Sequence, residues 1–261
     1  MRNSKVDRIT GLMAFIGALF IGLPIFALLF KVPWSTFFNE ISSSLPAIRL
    51  SAWTSTLSTL ISIAIGIPLA WYLAKGDSRF TNLFRPIILS PIVLPPTVAG
   101  MALLALMGRN GLFGRFIYEN LGWSLPFTSI AIVAAGIFVG LPFFTLIVES
   151  GFRQLPEDIE DAAITDGANN QKLLTMIAIP QIRNVLATGA LLAWARAIGE
   201  FGATMMFAGS LPGVTQTLPM LIYEEMDVSV TKAYSLSAIM LIISLGVVFA
   251  MRKQIQTAFT K

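Results

Sequence analysis

Residues 127–148 read Phe-Thr-Ser-Ile-Ala-Ile-Val-Ala-Ala-Gly-Ile-Phe-Val-Gly-Leu-Pro-Phe-Phe-Thr-Leu-Ile-Val, 22 positions without a charged side chain. As a helix rising about 1.5 Å per residue, the stretch reaches about 33 Å, enough to cross about 30 Å of hydrocarbon. Working outward, Pro86–Gly108, Leu50–Ala74, Ile9–Phe30 and Ala233–Met251 are also free of charge, and Asn184–Phe207 is apolar except for Arg196 and Glu200. The chain is therefore expected to be all-α: a polytopic membrane helical bundle with six transmembrane helices, built as a single transmembrane domain over residues 1–261.

Composition supports this reading. Of the 261 residues, 55% are hydrophobic and only 12% charged, against roughly 25% charged in soluble domains. So short a chain cannot bury that much apolar surface in its own core, whereas lipid can cover it. Cysteine and histidine are absent, which excludes disulfide frameworks, thiol nucleophiles, the usual zinc sites and imidazole acid–base chemistry. No cofactor or metal site is expected. The net charge of +4 comes without a basic patch interleaved with aromatics, so no nucleic-acid partner is expected.

The cations instead mark orientation, since Lys and Arg concentrate on the cytoplasmic side. Arg2, Lys5, Arg8, Lys75, Arg79, Arg85, Arg153, Lys172, Arg183, Arg252, Lys253 and Lys261 fall on one side of a six-span chain. Lys31, Arg49, Arg109, Arg115 and Lys232 fall on the other. Both termini are expected in the cytoplasm. The first apolar run exceeds the ~7–15 residues of a signal peptide and shows no clear small-residue cleavage site, so it is expected to be retained.

Two stretches are candidates for the substrate path. Residues 88–100, Ile-Leu-Ser-Pro-Ile-Val-Leu-Pro-Pro-Thr-Val-Ala-Gly, carry Pro91, Pro95 and Pro96, which remove backbone donors and bend or break a helix. Either a broken helix lines a cavity, or a short helix starts after Pro96 with the prolines at the interface. In the fifth stretch, Arg196 and Glu200 share a helix face and can pair. An ionised group near the bilayer centre costs about 2.5–3.5 kcal/mol on insertion scales, so this face is expected to point into the bundle, either as a pore or gate element or as a structural ion pair. Gly189, Ala190, Ala193, Ala195, Ala197, Gly199, Gly202 and Ala203 surround the pair and suit close packing on another helix, of this chain or of a second copy. Ser90, Pro95, Pro96, Thr97, Arg196, Glu200 and Thr204 are the candidate pathway or gate residues.

The longest polar connection, residues 149–183, holds six acids and three bases. Pro156 suits a first helical position, Glu157, Asp158, Glu160 and Asp161 complement a helix N-terminus, and Gly167 suits a left-handed C-terminal position. A second helix is expected through Lys172 to Ile179, ended or kinked by Pro180. Two helices this short are unstable alone in water, so they pack either on their own bundle or on a cytosolic partner.

This loop resembles the "EAA" loop of binding-protein-dependent ABC importer permeases. Asp161-Ala162-Ala163, Gly167, Ile177 and Ile179-Pro180 stand at the family's spacing, with Asp161 for Glu and Ile179 for Leu, and Glu160 keeping the acidic character. Residues 194–223, Trp-Ala-Arg-Ala-Ile-Gly-Glu-Phe-Gly-Ala-Thr-Met-Met-Phe-Ala-Gly-Ser-Leu-Pro-Gly-Val-Thr-Gln-Thr-Leu-Pro-Met-Leu-Ile-Tyr, are similar to the molybdate-type permeases, as are Leu94–Gly100 and Gly108–Leu112. Sulfate/thiosulfate permeases share the Arg-Ala-x-Gly-Glu-Phe-Gly core, and the continuation through Thr215-Gln216-Thr217-Leu218-Pro219 favours molybdate. The resemblance spans roughly residues 50–250.

The resemblance implies an importer permease for molybdate, or tungstate, in the cell membrane. It implies a homodimer of this chain, two cytosolic ATP-binding subunits, and an extracytoplasmic oxyanion-binding protein. Glu160, Asp161, Ala162, Ala163, Gly167, Ile177 and Pro180 would then form the ATPase-coupling loop. The chain has no Gly-x-x-x-x-Gly-Lys-Ser/Thr loop, so ATP hydrolysis must come from a partner and the chain itself is expected to be non-catalytic. The alternatives are a sulfate/thiosulfate permease and, from another class, an ion-gradient-driven secondary transporter, for which Glu200 would be the single intramembrane acid.

Overall fold

The computed structural model describes residues 8–76 and 79–259. Arg2, Lys5 and Lys261 of the charge asymmetry lie outside the described residues, as do the side chains of Arg79 and Lys253. Regular structure among the described residues is entirely helical. The order is α1 Arg8–Lys31, α2 Phe37–Ser43, α3 Leu45–Lys75, α4 Arg79–Val93, α5 Pro96–Met107, α6 Gly114–Leu121, α7 Ser129–Arg153, α8 Glu157–Thr165, α9 Asn170–Gln181, α10 Arg183–Ile198, α11 Gly202–Ala208, α12 Leu218–Val228 and α13 Val230–Phe259.

Among the described residues, α1, α3, α7 and the Val230–Ala250 part of α13 are each long and apolar enough to cross a membrane. The α9–α10 pair, bent by 80°, adds a fifth crossing if it is one span. The third and fifth apolar stretches are not continuous helices. Pro86–Gly108 divides at Leu94 and Pro95: the Leu94 N–H closes the last turn on the Ser90 carbonyl at 3.0 Å, and the Pro95 carbonyl opens α5 by accepting from Ala99 at 3.0 Å. α5 does begin at Pro96, but Pro86 and Pro91 lie inside a helix of their own. Asn184–Phe207 divides at Gly199–Phe201.

Among the four single-helix candidate spans α7 is the most enclosed, whereas α1 has no buried residue. Small residues allow α7 to be enclosed. A Cβ on Gly136 would lie 2.5 Å from Ser58 Oγ of α3, and one on Gly140 would lie 3.1 Å from the Ala193 carbonyl oxygen of α10. Ser58 also donates to the Val133 carbonyl at 3.0 Å. With little hydrophobic force between helices in lipid, such close approach supplies the packing. The small-residue face of the fifth stretch thus meets α7 of its own chain: Gly189 faces Phe144 and Val148, and Ala193 and Ala197 face Gly140 and Gly136.

Three buried clusters follow. One joins Leu103 of α5, Ile132 and Val139 of α7 and Phe207 of α11. A second gathers Phe37, Ala47, Leu218 and Leu236. The third packs Ala70, Phe144 and Phe152 against Ala178 and Ile182, which seats the polar connection on the end of the bundle.

Candidate functional site

The 149–183 connection forms two helices around a glycine corner. Pro156, with φ −62° and ψ 131°, sits just ahead of α8, whose first turn carries Glu157, Asp158 and Glu160. Gly167 has φ +82°. Its N–H donates to the Ile164 carbonyl at 3.0 Å, and the Ala168 N–H donates to the Ala163 carbonyl at 2.9 Å. This is the paired closure of a Schellman motif. A Cβ on Gly167 would meet nothing within 4 Å, so backbone conformation alone favours glycine there. Asn169 then caps α9, its Oδ1 accepting from the Lys172 N–H at 2.9 Å.

α9 is not uniformly α-helical. Residues Leu173–Ala178 form a π turn in which the Ile179 N–H reaches the Leu174 carbonyl, five residues back. Pro180 lies inside α9, and the 80° bend into α10 follows after Gln181. Ala163, Leu173 and Ala178 are buried, while Ile164 and Met176 are exposed. Asp161 and Ala162 are exposed, and Ile177 is half-buried. Glu160 faces the bundle instead, paired with Lys75 at the end of α3.

The two broken stretches meet each other. A Cβ on Gly202 would lie 2.5 Å from Pro96 Cβ, and one on Gly100 would lie 2.6 Å from Met206 Cβ and 2.8 Å from the Ala203 carbonyl oxygen. α5 and α11 therefore restart side by side at Pro96 and Gly202. Arg196 and Glu200 form an ion pair. Glu200 is 3% exposed, and its Oε1 also accepts from the Ala203 N–H at 2.7 Å. The carboxylate thus caps α11, an alignment favoured by the positive end of a helix.

Among the other sequence candidates, Pro95, Pro96 and Thr97 are exposed beside this restart. Thr204 is 1% exposed and faces the packed interior. Ser90 donates its hydroxyl to the Ile87 carbonyl at 2.8 Å. The 209–217 turn is held internally: the Leu211 carbonyl accepts from the N–H groups of Val214, Thr215 and Gln216. Gln216 Nε2 then donates to Glu224 on α12 at 2.5 Å, and the Ser210 hydroxyl bonds the same carboxylate.

Sequence reading missed one group, Glu149, treated only as a loop acid. It is 4% exposed and holds two arginines: Arg153 on its own helix, whose Nε lies at 2.9 Å, and Arg85 of α4. Both arginines also donate to the Leu73 carbonyl near the end of α3, Arg153 at 2.7 Å and Arg85 at 3.3 Å. The i,i+4 placement of Glu149 and Arg153 at the end of an apolar run was the available signal.

Known proteins resemble this chain over most of its length. Residues 63–256 match the family described as "Binding-protein-dependent transport system inner membrane component". The "Molybdenum transport system permease protein ModB" of Mycobacterium tuberculosis is 38% identical over 239 residues, 91% of this chain and 90% of that protein. The "Probable transport system permease protein NifC" of Clostridium pasteurianum is 33% identical over 217 residues, 82% of this chain and 74% of its own length. Among solved structures, a bacterial ABC transporter involved in the import of the acidic polysaccharide alginate superposes with a TM-score of 0.75 at 17% identity, over 94% of this chain and 93% of its own. That likeness extends to the fold. The chain is a multi-pass membrane protein and belongs to the family of binding-protein-dependent transport system inner membrane components.

Proposed function

We propose that this chain is the permease subunit of an ABC importer that moves molybdate, and its close analogue tungstate, across the cell membrane. The observation that carries the reading is the conjunction of the glycine-cornered loop with 38% identity to a molybdenum permease over nearly the whole chain. The whole chain acts as one transmembrane domain, with six crossings and both termini in the cytoplasm. The broken third and fifth stretches each supply a crossing from two half-helices.

Residues 149–183 form the cytoplasmic coupling loop. Asp161, Ala162, Ile177 and the Gly167 corner meet an ATP-binding subunit, and the exposed Ile164 and Met176 add apolar surface for that contact. Glu160 and Ala163 hold the loop to the bundle, and Pro180 directs the chain into the fifth span. Two copies of the chain, two ATP-binding subunits and an extracytoplasmic oxyanion-binding protein make the working importer. ATP hydrolysis belongs to the partner.

The path runs past the restart of α5 and α11, along Pro95, Pro96 and Thr97. Arg196 is offset there by Glu200, so a dianion meets no strong cationic trap, in keeping with the need for sites weak enough to leave. Glu200 is engaged by both Arg196 and the start of α11, which does not suit an acid that must shuttle protons.

The test is reconstitution of the permease with its ATPases and binding protein in liposomes. Molybdate uptake should require ATP, survive dissipation of ion gradients, and be competed by tungstate but not by sulfate. Sulfate uptake of equal efficiency would reassign the substrate. Uptake without the ATPases that collapses with the gradient would reassign the class.

A further inference from the structure

α7 is long and apolar enough to cross the bilayer, and it separates α6 from the 149–183 connection. α6 therefore belongs to the opposite membrane surface. Its height there is set by α5. The Gly108 N–H closes α5 on the Leu104 carbonyl at 2.8 Å, and the chain folds straight back. The Leu112 N–H then donates to the Ala105 carbonyl at 3.0 Å, and the Phe113 N–H to the Leu106 carbonyl at 2.8 Å. A Cβ on Gly111 would lie 2.7 Å from the Ala105 carbonyl oxygen, so only glycine lets the turn lie this close. α6 thus starts against the last turn of α5 and does not stand off in water.

The faces of α6 differ sharply. At 3.6 residues per turn, Phe113, Phe116, Ile117 and Leu121 fall on one side, and Arg115 and Glu119 on the other. Leu112, Phe113, Phe116 and Leu121 are each 64–84% exposed, so they project away from the bundle. Asn120 interrupts the apolar side, but its Nδ2 donates to the Phe116 carbonyl at 2.8 Å. On the polar side Arg115 Nε donates to Glu119 at 2.7 Å. Arg109 lies over the Tyr118 ring, 4.0 Å from its centroid, and bonds its hydroxyl. Gly122 ends the helix in a left-handed conformation, and the exposed Trp123 follows.

We propose that α6 binds lipid: it lies in the bilayer interface with Phe113, Phe116 and Leu121 in the leaflet and Arg115 and Glu119 facing water. Projecting apolar side chains backed by a charged face are the pattern of an interfacial helix. Tyr118 and Trp123 add the aromatic residues that favour the same depth. A soluble partner that comes and goes would leave this patch in water between encounters, an unfavourable state for so much apolar surface. The charges of α6 also offer such a partner little, since Arg115 and Glu119 are paired with each other. Held at one depth, α6 fixes the end of α5, one of the two half-helices that restart side by side. Nothing in this placement depends on which anion is carried.

The chain has no cysteine, so Phe116→Cys and Glu119→Cys each carry one label, on opposite faces of α6. The full-length chain is labelled with nitrobenzoxadiazole and placed in phosphatidylethanolamine–phosphatidylglycerol vesicles at low protein-to-lipid ratio. The label at 116 should be quenched more by a lipid with its doxyl group near the headgroup than by one with it at the chain end. With iodide on both sides of the membrane, that label should be quenched several-fold less than the label at 119. Phe113→Cys should match Phe116→Cys, and adding Phe116→Asp to it should open its label to iodide, because a carboxylate resists lipid.

Equal iodide quenching at 116 and 119, stronger quenching at 116 by the deep doxyl lipid, or no effect of Phe116→Asp would overturn the lipid assignment. A label at 116 shielded only after the extracytoplasmic binding protein is added would give this face to that protein instead. Shielding seen only at high protein-to-lipid ratio would give it to a second copy of the chain. None of these readings uses uptake, so a failure of molybdate transport would revise the substrate and leave the placement of α6 standing.

Discussion

Replacing Arg196 should cost more than replacing Glu200, although both changes break the same ion pair. The carboxylate side chain is 2% exposed and the guanidinium 30%. Arg196→Ala leaves Glu200 in the interior with only the Ala203 N–H for company. Breaking a buried pair this way costs about 3–5 kcal/mol, and about 3 is expected here because Arg196 is only partly buried. Glu200→Ala leaves an arginine that is less deeply buried than the carboxylate, so its main cost is the lost cap of α11, about 1 kcal/mol. The double change loses the cap but strands no charge, so it should cost about 1 kcal/mol as well. The coupling between the two sites is then about 3 kcal/mol, at the upper end for contacting residues. Thermal or denaturant unfolding of the four species in mild detergent measures each quantity. Additive losses, or a Glu200→Ala variant less stable than Arg196→Ala, would refute the argument that the buried carboxylate is the costly partner.

Gly100→Ala should destabilise the protein by about 1–3 kcal/mol, the usual cost of overpacking, because its Cβ meets the backbone of Ala203 as well as Met206; the same unfolding assay reads it. Gly167→Val should leave the bundle folded, since no atom crowds the position, but should strain the corner by about 1 kcal/mol and weaken recovery of ATP-binding subunits in pull-downs, with Gly167→Asn milder because Asn tolerates the left-handed conformation. Reporter fusions after Lys75, within 149–183 and at the C-terminus should read cytoplasmic, and fusions near Glu40, Glu119 and Glu225 external; a reversed site would overturn the six-crossing topology.

The helical class and the glycine corner were legible because each rests on local chemistry. Apolar length sets a membrane helix, and a left-handed corner selects glycine at Gly167. Pro95 and Pro96 announced a break, but not that its far side would lie against Gly202, because tertiary pairing between distant half-helices leaves no periodic trace. The role of Glu160 as an anchor to Lys75, and the burial of Glu149 between arginines of two helices, were hidden for the same reason. Thr204 was chosen for its hydroxyl, and only its neighbours reveal that it points into packed core.

The hydroxyls of α3 bear on how the chain is made. Thr54, Ser58 and Thr59 donate to carbonyls four residues back at 2.7–2.8 Å, and Ser55 bonds the Ser51 carbonyl in the same way. Such bonds satisfy a side chain within its own helix. α3 leaves the ribosome well before α7, the helix it packs on, has been synthesised. With these hydroxyls already partnered, the young helix can wait in lipid as a nearly apolar cylinder and needs no chaperoning of its polar face. The bonds from Ser58 to Val133, from Trp194 Nε1 to the Thr56 hydroxyl and from the Leu218 N–H to Ser51 depend on later segments, so they record the moments when α7, α10 and then α12 arrive.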